Sequence, residues 1–334
     1  MCWNKCWHDN EIREILKDYM MAIDTLFFEL LRVATGAAKS LSHTPSNMEW
    51  TTLYDMAIKH SLAGVCFAAL RRLGADADDG FARIGMDEDL YFKWLGTAAQ
   101  IMHRNEGVNM RCVELQSMLS NDGMRSFLMK GQCNAALYGE LSSLRQSGDI
   151  DVFVDGGRKY VVEYVMRIAP TNLINEIELD YNIFPDTKVD LHHSLNEIRN
   201  PLRNRRLHAF LEYYKEANFS NFRSLPNEKK VSCPVWEYDM VFQLVHIYGH
   251  FVSRGVGLRQ LMDYYYLLKH MPEDANVSAI RKCVEDIGLT GFASGLMWDL
   301  QHIFGLSMIG IPWTPNSCDG KFMLEEIMAH ENFG

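Results

Sequence analysis

Two short apolar runs near the middle of the chain carry acidic residues where burial is expected. The first is Asp149-Ile150-Asp151-Val152-Phe153-Val154, and the second is Val189-Asp190-Leu191-His192. In a strand, residues two apart point to the same face. Asp149 and Asp151 then converge on one side, with Ile150 and Val152 packed on the other. Asp190 has the same apolar neighbours and brings a third carboxylate to the same edge. Like charges at this spacing repel, and an unpaired buried carboxylate is costly. A divalent cation removes both penalties. Three convergent carboxylates make an oxygen-rich site that suits Mg²⁺ or Mn²⁺ rather than zinc. An isolated Asp-x-Asp also fits a solvated strand end, and the apolar flanks argue against that reading.

Sites of this kind perform phosphoryl or nucleotidyl transfer, with two ions about 3.5–4 Å apart on the attacking and leaving oxygens. Two of the carboxylates would bridge the ions. The third would stand beside the attacking hydroxyl and help to deprotonate it. A triphosphate also needs donors that approach closely. Gly131 offers a backbone N–H with no Cβ in the way. Lys130 and Arg145 offer positive charge, and Ser147 offers a hydroxyl.

The combined pattern resembles the polymerase-beta-type nucleotidyltransferases, and more closely a branch of largely uncharacterised bacterial nucleotidyltransferases. The residues that carry the resemblance are Lys130-Gly131, Tyr138, Arg145, Gly148-Asp149-Ile150-Asp151 and Val189-Asp190-Leu191-His192. The C-terminal part adds His246-Ile-Tyr-Gly-His250 and Gly255-Val-Gly257-Leu258-Arg259-Gln-Leu-Met-Asp263. The likeness covers residues 45 to 310. It implies a mixed sheet flanked by helices, with helical additions at both ends. It also implies that Asp149, Asp151 and Asp190 bind metal and that Gly131, Gln132 and Ser147 line the nucleotide phosphates, with Lys130, Arg145 and Gly148 beside them. Two departures stand out. Gln132 replaces the Ser or Gly usual after the glycine, and the stretch from Gly131 to Asp149 is longer than in minimal members.

The rest of the chain reads as helix. Glu11 to Thr35, Tyr54 to Leu73 and Leu90 to Leu119 have 3.6-type apolar spacing, closed by Gly36, Gly74 and Asn121-Asp122-Gly123. Strands are expected at Ser126–Lys130, Ile150–Val154, Leu173–Leu179 and Lys188–His192. Short helical turns are expected over Asn134–Tyr138 and a helix over Arg158–Ile168. Helices return at Trp236–Ser253, Leu258–Met271, Ala279–Ile287 and Phe292–Phe304. The fold class is therefore α+β. Its parts are a helical region over 1–122, a small mixed-sheet nucleotidyltransferase core of polymerase-beta-like form over 123–200, and a helical region over 201–334.

Net charge is −10, from 33 Lys+Arg against 43 Asp+Glu, which excludes a generic DNA or RNA coat. No run of 18 apolar residues exists, so no membrane span is expected, and Met1–Asn10 lacks an apolar signal core. The eight cysteines contain no CxxC pair, and most sit in apolar helical runs. They read as free, buried thiols in a reducing cytoplasm. Cys2, Cys6 and His8 lack a second pair at zinc spacing.

Weaker signals remain. Asp239, Gln243, His246 and His250 share one helix face. That face is either a polar stripe touching substrate, a zinc pair without the glutamate of HExxH, or histidines satisfied between helices. Arg259 and Asp263 either pair on a helix surface or contact substrate. His192 shares the face of Asp190, and His193 points away. Arg199, Arg203, Arg205 and Arg206 lie in a segment, Leu195–Lys230, with eight basic and four acidic residues. They either steer an anion or form a solvated loop. Tyr264-Tyr265-Tyr266 and Met20-Met21 read as core.

These observations point to a magnesium-dependent enzyme that moves a nucleoside monophosphate from an NTP, ATP first, to a hydroxyl or phosphate acceptor and releases pyrophosphate. No motif selects the base, and the acceptor (small molecule, protein or RNA) is open. Gln132 motivates a second reading, a non-catalytic nucleotide-binding module. His246 and His250 motivate a third, a metal-dependent phosphohydrolase.

Overall fold

The computed structural model describes residues 20–78, 80–194, 198–226, 228–307 and 310–329. Helix α1 covers 20–35 and is followed by α2 (Asn47–Lys59), α3 (Ala63–Arg72), α4 (Gly80–Arg83) and the long α5 (Glu88–Asn121). The central block runs β1 (Ser126–Met129), α6 (Gly131–Ala135), a 3₁₀ segment (Ala136–Leu144), β2 (Ile150–Val154), α7 (Gly157–Ile168), β3 (Glu178–Asp180) and β4 (Val189–His192). Then come α8 (Pro201–Asn218), β5 (Phe222–Ser224), β6 (Lys230–Ser232), α9 (Trp236–Ser253), α10 (Leu258–Lys269), α11 (Val277–Asp286), α12 (Thr290–Phe304) and α13 (Ser317–Ala329). Helices around a small mixed sheet make this an α+β fold. Among the described residues, no helix is long and apolar enough to cross a membrane.

The main sheet has the order β1-β2-β4-β3. β2 and β4 are parallel, and the two outer pairs are antiparallel. Strand alternation gives this sheet two different faces. On one, Leu128, Ile150, Val152, Val154, Leu179, Val189 and Leu191 join a core with Val108, Cys112, Leu115 and Leu119 of α5 and Val161, Tyr164 and Val165 of α7. On the other, Phe127, Met129 and Phe153 join the large core shared by α1, α2, α3, α9, α10 and α12. That second face also carries every acidic residue of β2, β4 and β3.

Several expectations are corrected. The stretch Tyr54–Leu73 is two helices, broken at Ser61 in a left-handed conformation (φ 58°). The turn has no glycine or proline to announce it. The strand expected at Leu173–Leu179 shrinks to Glu178–Asp180, with an isolated Ile174–Leu179 bridge before it. Arg203, Arg205 and Arg206 are not in a loop but in the first turns of α8, capped by the Asn200 side chain with Pro201 in the first turn, and Arg199 just precedes the cap. Met20 and Met21 are exposed, because α1 buries Ile23, Leu26, Phe27, Leu30 and Leu31 instead. The tyrosines 264–266 are buried as core.

Not all cysteines are free thiols. Cys133 at α6 and Cys233 just before α9 form a disulfide across 100 residues of sequence. Packing of β6 beside β1 brings them together, which no spacing motif could reveal. Cys66, Cys112 and Cys283 are free and buried, and Cys318 is free and exposed. Cys2, Cys6 and His8 lie outside the described residues.

Asp299 on α12 is fully buried, and neither carboxylate oxygen has a hydrogen-bond partner among the described residues. Burial pushes its carboxyl up to about 9. Between about pH 4 and pH 9 the folded chain then holds a proton that the unfolded chain has lost. This group therefore makes stability fall as pH rises, by about 1.4 kcal/mol per unit. Asp299→Leu removes the titration. Measured by urea unfolding, its stability relative to wild type should climb by about 4 kcal/mol from pH 5 to pH 8. A difference that stays flat with pH would rule out the buried proton.

Candidate active site

The acidic face is built by register. In the parallel β2–β4 pair, Asp151 is the direct neighbour of Asp190. In the antiparallel β3–β4 pair, Asp180 faces Asp190 and Glu178 faces His192. Register partners share a face, so Asp151, Asp190, His192, Glu178 and Asp180 stand together. Asp149 lies just ahead of β2, two residues before Asp151, close enough for its charge to act on Asp190.

Cations and imidazoles fill the spaces between these groups. Lys130 Nζ lies 3.0 Å from Asp151 Oδ1. His192 Nε2 lies 2.9 Å from the same oxygen and 3.1 Å from Glu178 Oε2. Lys188 Nζ lies 3.0 Å from Asp190 and 3.6 Å from Asp180. Burial opposes the charge on Asp151, but Lys130, His192 and His246 outweigh it and hold this carboxyl far below the usual range. Asp190 behaves in the opposite way. Burial, reinforced by the negative Asp149 and only partly offset by Lys188, raises it to about 7.

Lys130 reaches Asp151 because the chain turns sharply after β1. Lys130 (φ 51°) and Gly131 (φ 42°) both occupy left-handed backbone. Such a conformation is costly for lysine, and strain of this kind collects at functional sites. Gly131 sits close to the Asp149 backbone, and a Cβ there would lie 3.7 Å from the Asp149 carbonyl oxygen.

The remaining expected site residues fall into two groups. His246 and His250 stack edge to face at 4.4 Å between ring centroids, close enough to Lys130 and Asp151 to feel their charges. Burial and then Lys130 depress His246, and the same two causes depress His250. Both imidazoles are therefore neutral at pH 7. The other two stripe residues are structural. Asp239 is fully buried with Arg223 and Gln243, and Gln243 exchanges hydrogen bonds with Asn134.

Gln132 is turned inward. Its amide donates to Asn109 Oδ1 on α5, and the residue is 4% exposed. Its amide nitrogen is thereby engaged, while Oε1 has no partner among the described residues. Arg145 is 3% exposed and forms a bidentate pair with Asp263, at 2.6 and 2.7 Å. Its Nε and Nη2 are taken by Asp263, while Nη1 has no partner among the described residues. Asp263 accordingly does not pair with Arg259 on a helix surface. Arg259 instead donates to the Gln146 carbonyl at 3.2 Å. Ser147 is buried, with a hydroxyl that has no partner among the described residues. A Cβ on Gly148 would meet only open space.

Sequence reasoning missed Glu178, Asp180 and Lys188. The acid–apolar–acid rhythm of Glu178-Leu179-Asp180 repeats that of Asp149–Asp151, and this was the available signal. Lys188 is two residues from Asp190, on the same face of an extended segment.

The donor set fits a divalent cation. Ligand atoms of Asp151, Glu178 and His192 all lie within 4.8 Å of one another. Two ligands at right angles on an ion with bonds of about 2.1 Å are about 3 Å apart, close to the 2.9 and 3.1 Å separations at His192. A cation would also relieve the Asp149–Asp190 contact.

Over residues 46–305 the chain matches the family described as uncharacterised nucleotidyltransferase. The chain belongs to this family. No curated protein and no solved structure matches it. For this nucleotidyltransferase family member, the acidic face is the candidate active site.

Asp149→Asn removes one charge from the Asp149–Asp190 contact. Its melting temperature at pH 8 should equal or exceed that of wild type, by differential scanning calorimetry. A fall of more than about 5 °C, roughly 3.5 kcal/mol at this chain length, would mark Asp149 as a structural residue.

Proposed function

We propose that the chain is a divalent-metal-dependent nucleotidyltransferase of the polymerase-beta type. It transfers a nucleoside monophosphate from an NTP, with ATP the first choice, to a hydroxyl or phosphate acceptor. The observation that carries this reading is the meeting of acidic side chains from three neighbouring strands on one sheet face, in a chain of a nucleotidyltransferase family.

Asp149, Asp151 and Asp190 would hold Mg²⁺ or Mn²⁺, with Glu178 and His192 on the Asp151 side. The bound cation supplies neutralisation of phosphate charge and polarisation of a phosphoryl oxygen. Lys130 and the neutral His246–His250 pair line the approach and orient an anionic substrate. Ser147 contributes a hydroxyl that has no other partner. Asp190 would stand beside the acceptor hydroxyl and help to deprotonate it. The acceptor oxygen bonds to the α-phosphorus as the α–β bridging P–O bond breaks. Pyrophosphate leaves, and the acceptor proton passes to Asp190. The inward turn of Gln132 favours a second reading, a module that binds nucleotide without turnover.

Each α-labelled NTP in turn, incubated with Mg²⁺ and a cell extract, tests the proposal. Label should move to an acceptor with wild type and not with Asp149→Ala, whose melting temperature stays at or above wild type. Saturable nucleotide binding with no label transfer would support the non-catalytic module. Mn²⁺ affinity, by electron paramagnetic resonance, should also depend on pH. Asp190 must lose its proton to bind metal, so affinity should weaken about tenfold per unit below pH 7. No change between pH 5 and pH 8 would remove Asp190 from the ligand set.

A further inference from the structure

We infer that Arg259 and Asp263, one turn apart on α10, are positioning residues that place Asp149 by gripping the chain three and four residues before it. This rests on the reading of the acidic face as a cation site.

Residues 145–149 belong to no helix or strand, yet they carry Ser147, Gly148 and Asp149 into β2. A segment without a backbone ladder must be located by other groups. Here it is held from three sides. From α5, the Asn105 amide donates to the Ser143 carbonyl at 2.7 Å and the Arg145 carbonyl at 2.8 Å. From α3, Gly64 lets a helix backbone approach Leu144, where a Cβ would lie 2.3 Å from the carbonyl oxygen. From α10, Asp263 takes both the Nε and Nη2 donors of Arg145 and the hydroxyl of Tyr138 at 2.6 Å. Arg259 reaches one residue further along the chain, to the Gln146 carbonyl.

Of these three holds, the one from α10 reaches furthest toward Asp149, to Gln146, while the next backbone anchor is the Ile150 amide, on the Lys188 carbonyl just ahead of β4. A carboxylate that binds a cation must be held to within a fraction of an ångström, and loss of a supporting group typically costs 10- to 100-fold in metal affinity. The Arg145–Asp263 pair is buried and bidentate, so it fixes direction as well as distance. Arg259 cannot favour a cation through its charge, which repels one. A helpful effect of Arg259 on cation binding must therefore act through geometry.

This opposition of sign makes the test decisive. Mn²⁺ binding is measured by electron paramagnetic resonance without nucleotide, for wild type, Arg259→Met and Arg259→Lys. In parallel, hydrogen exchange is followed at the amides of residues 146–149. If Arg259 positions Asp149, Arg259→Met binds Mn²⁺ about tenfold more weakly and exchange over 146–149 rises. Arg259→Lys, which keeps a donor, recovers part of both losses. If Arg259 acts only by charge, Arg259→Met binds Mn²⁺ more tightly and exchange is unchanged, which overturns the inference. If Arg259 contacts only the triphosphate, Mn²⁺ binding and exchange stay at wild-type values while affinity for a non-hydrolysable ATP analogue falls, which also overturns it. Should Arg259→Met fail to fold, Arg259→Lys and Tyr138→Phe carry the same two measurements, and unchanged exchange in both is a negative result. Wild type that binds no Mn²⁺ would defeat the cation-site reading, while the exchange arm still decides whether α10 holds the segment.

Discussion

Hydrophobic burial on one face of the sheet dictates the geometry of the other. Ile150, Val152, Val154, Val189, Leu191 and Leu179 pack into a dry layer against α5 and α7. Side chains alternate strictly, so a slip of one residue in any strand would drive aspartates into that layer and expose its valines. Burial of these aliphatic groups, each contributing about 1.5–3 kcal/mol, therefore locks the register. Locking the register sets Asp151 beside Asp190 and Glu178 beside His192. The acidic cluster is thus assembled by residues that have no chemistry of their own.

Such a cluster is tolerable only with compensating charge. Lys130 answers Asp151 and Lys188 answers Asp190 and Asp180, each within 4 Å. The compensation is uneven. Asp151 stays ionised, while Asp190, pressed by Asp149 and by burial, is raised to about 7. Two carboxylates on one surface are thus left with separated affinities for protons.

The helical regions act as a frame for the two irregular segments at the site. The turn Lys130–Gly131 continues into α6, which is held by Gln132 to Asn109, by Asn134 to Gln243 and by the Cys133–Cys233 disulfide. The 145–149 segment is held by Asn105, Asp263 and Arg259. Buried polar pairs of this type add little net stability but penalise alternative arrangements.

The acidic strands, the long α5, α9 and most C-terminal helices were readable from apolar period alone, because a strand or a helix is a local pattern. The aspartate cluster was readable too, since apolar flanks around an acid signal burial in any context. Glu178 escaped because β3 is three residues long, and its role depends on pairing with β4 rather than on its own neighbours. The breaks at Ser61, the helical state of Arg203–Arg206 and the exposure of Met20 and Met21 depend on what packs nearby. The partners of Arg145 and Gln132 were not legible for the same reason: each is a polar side chain whose direction is set by residues more than twenty positions away.

What the chain's order of residues determined is which side chains share a strand or a helix face, and hence that Asp149, Asp151 and Asp190 carry matched alternation. Local stereochemistry is enough for that, because backbone period does not depend on partners. Only the tertiary structure decided which polar groups are open to a ligand and which are bound to one another. It gave Arg145 to Asp263, Gln132 to Asn109 and Cys133 to Cys233, and it brought Glu178 to the aspartates. Those choices follow from packing of elements distant in sequence, where close contact and exclusion of water set the energy of every polar pair.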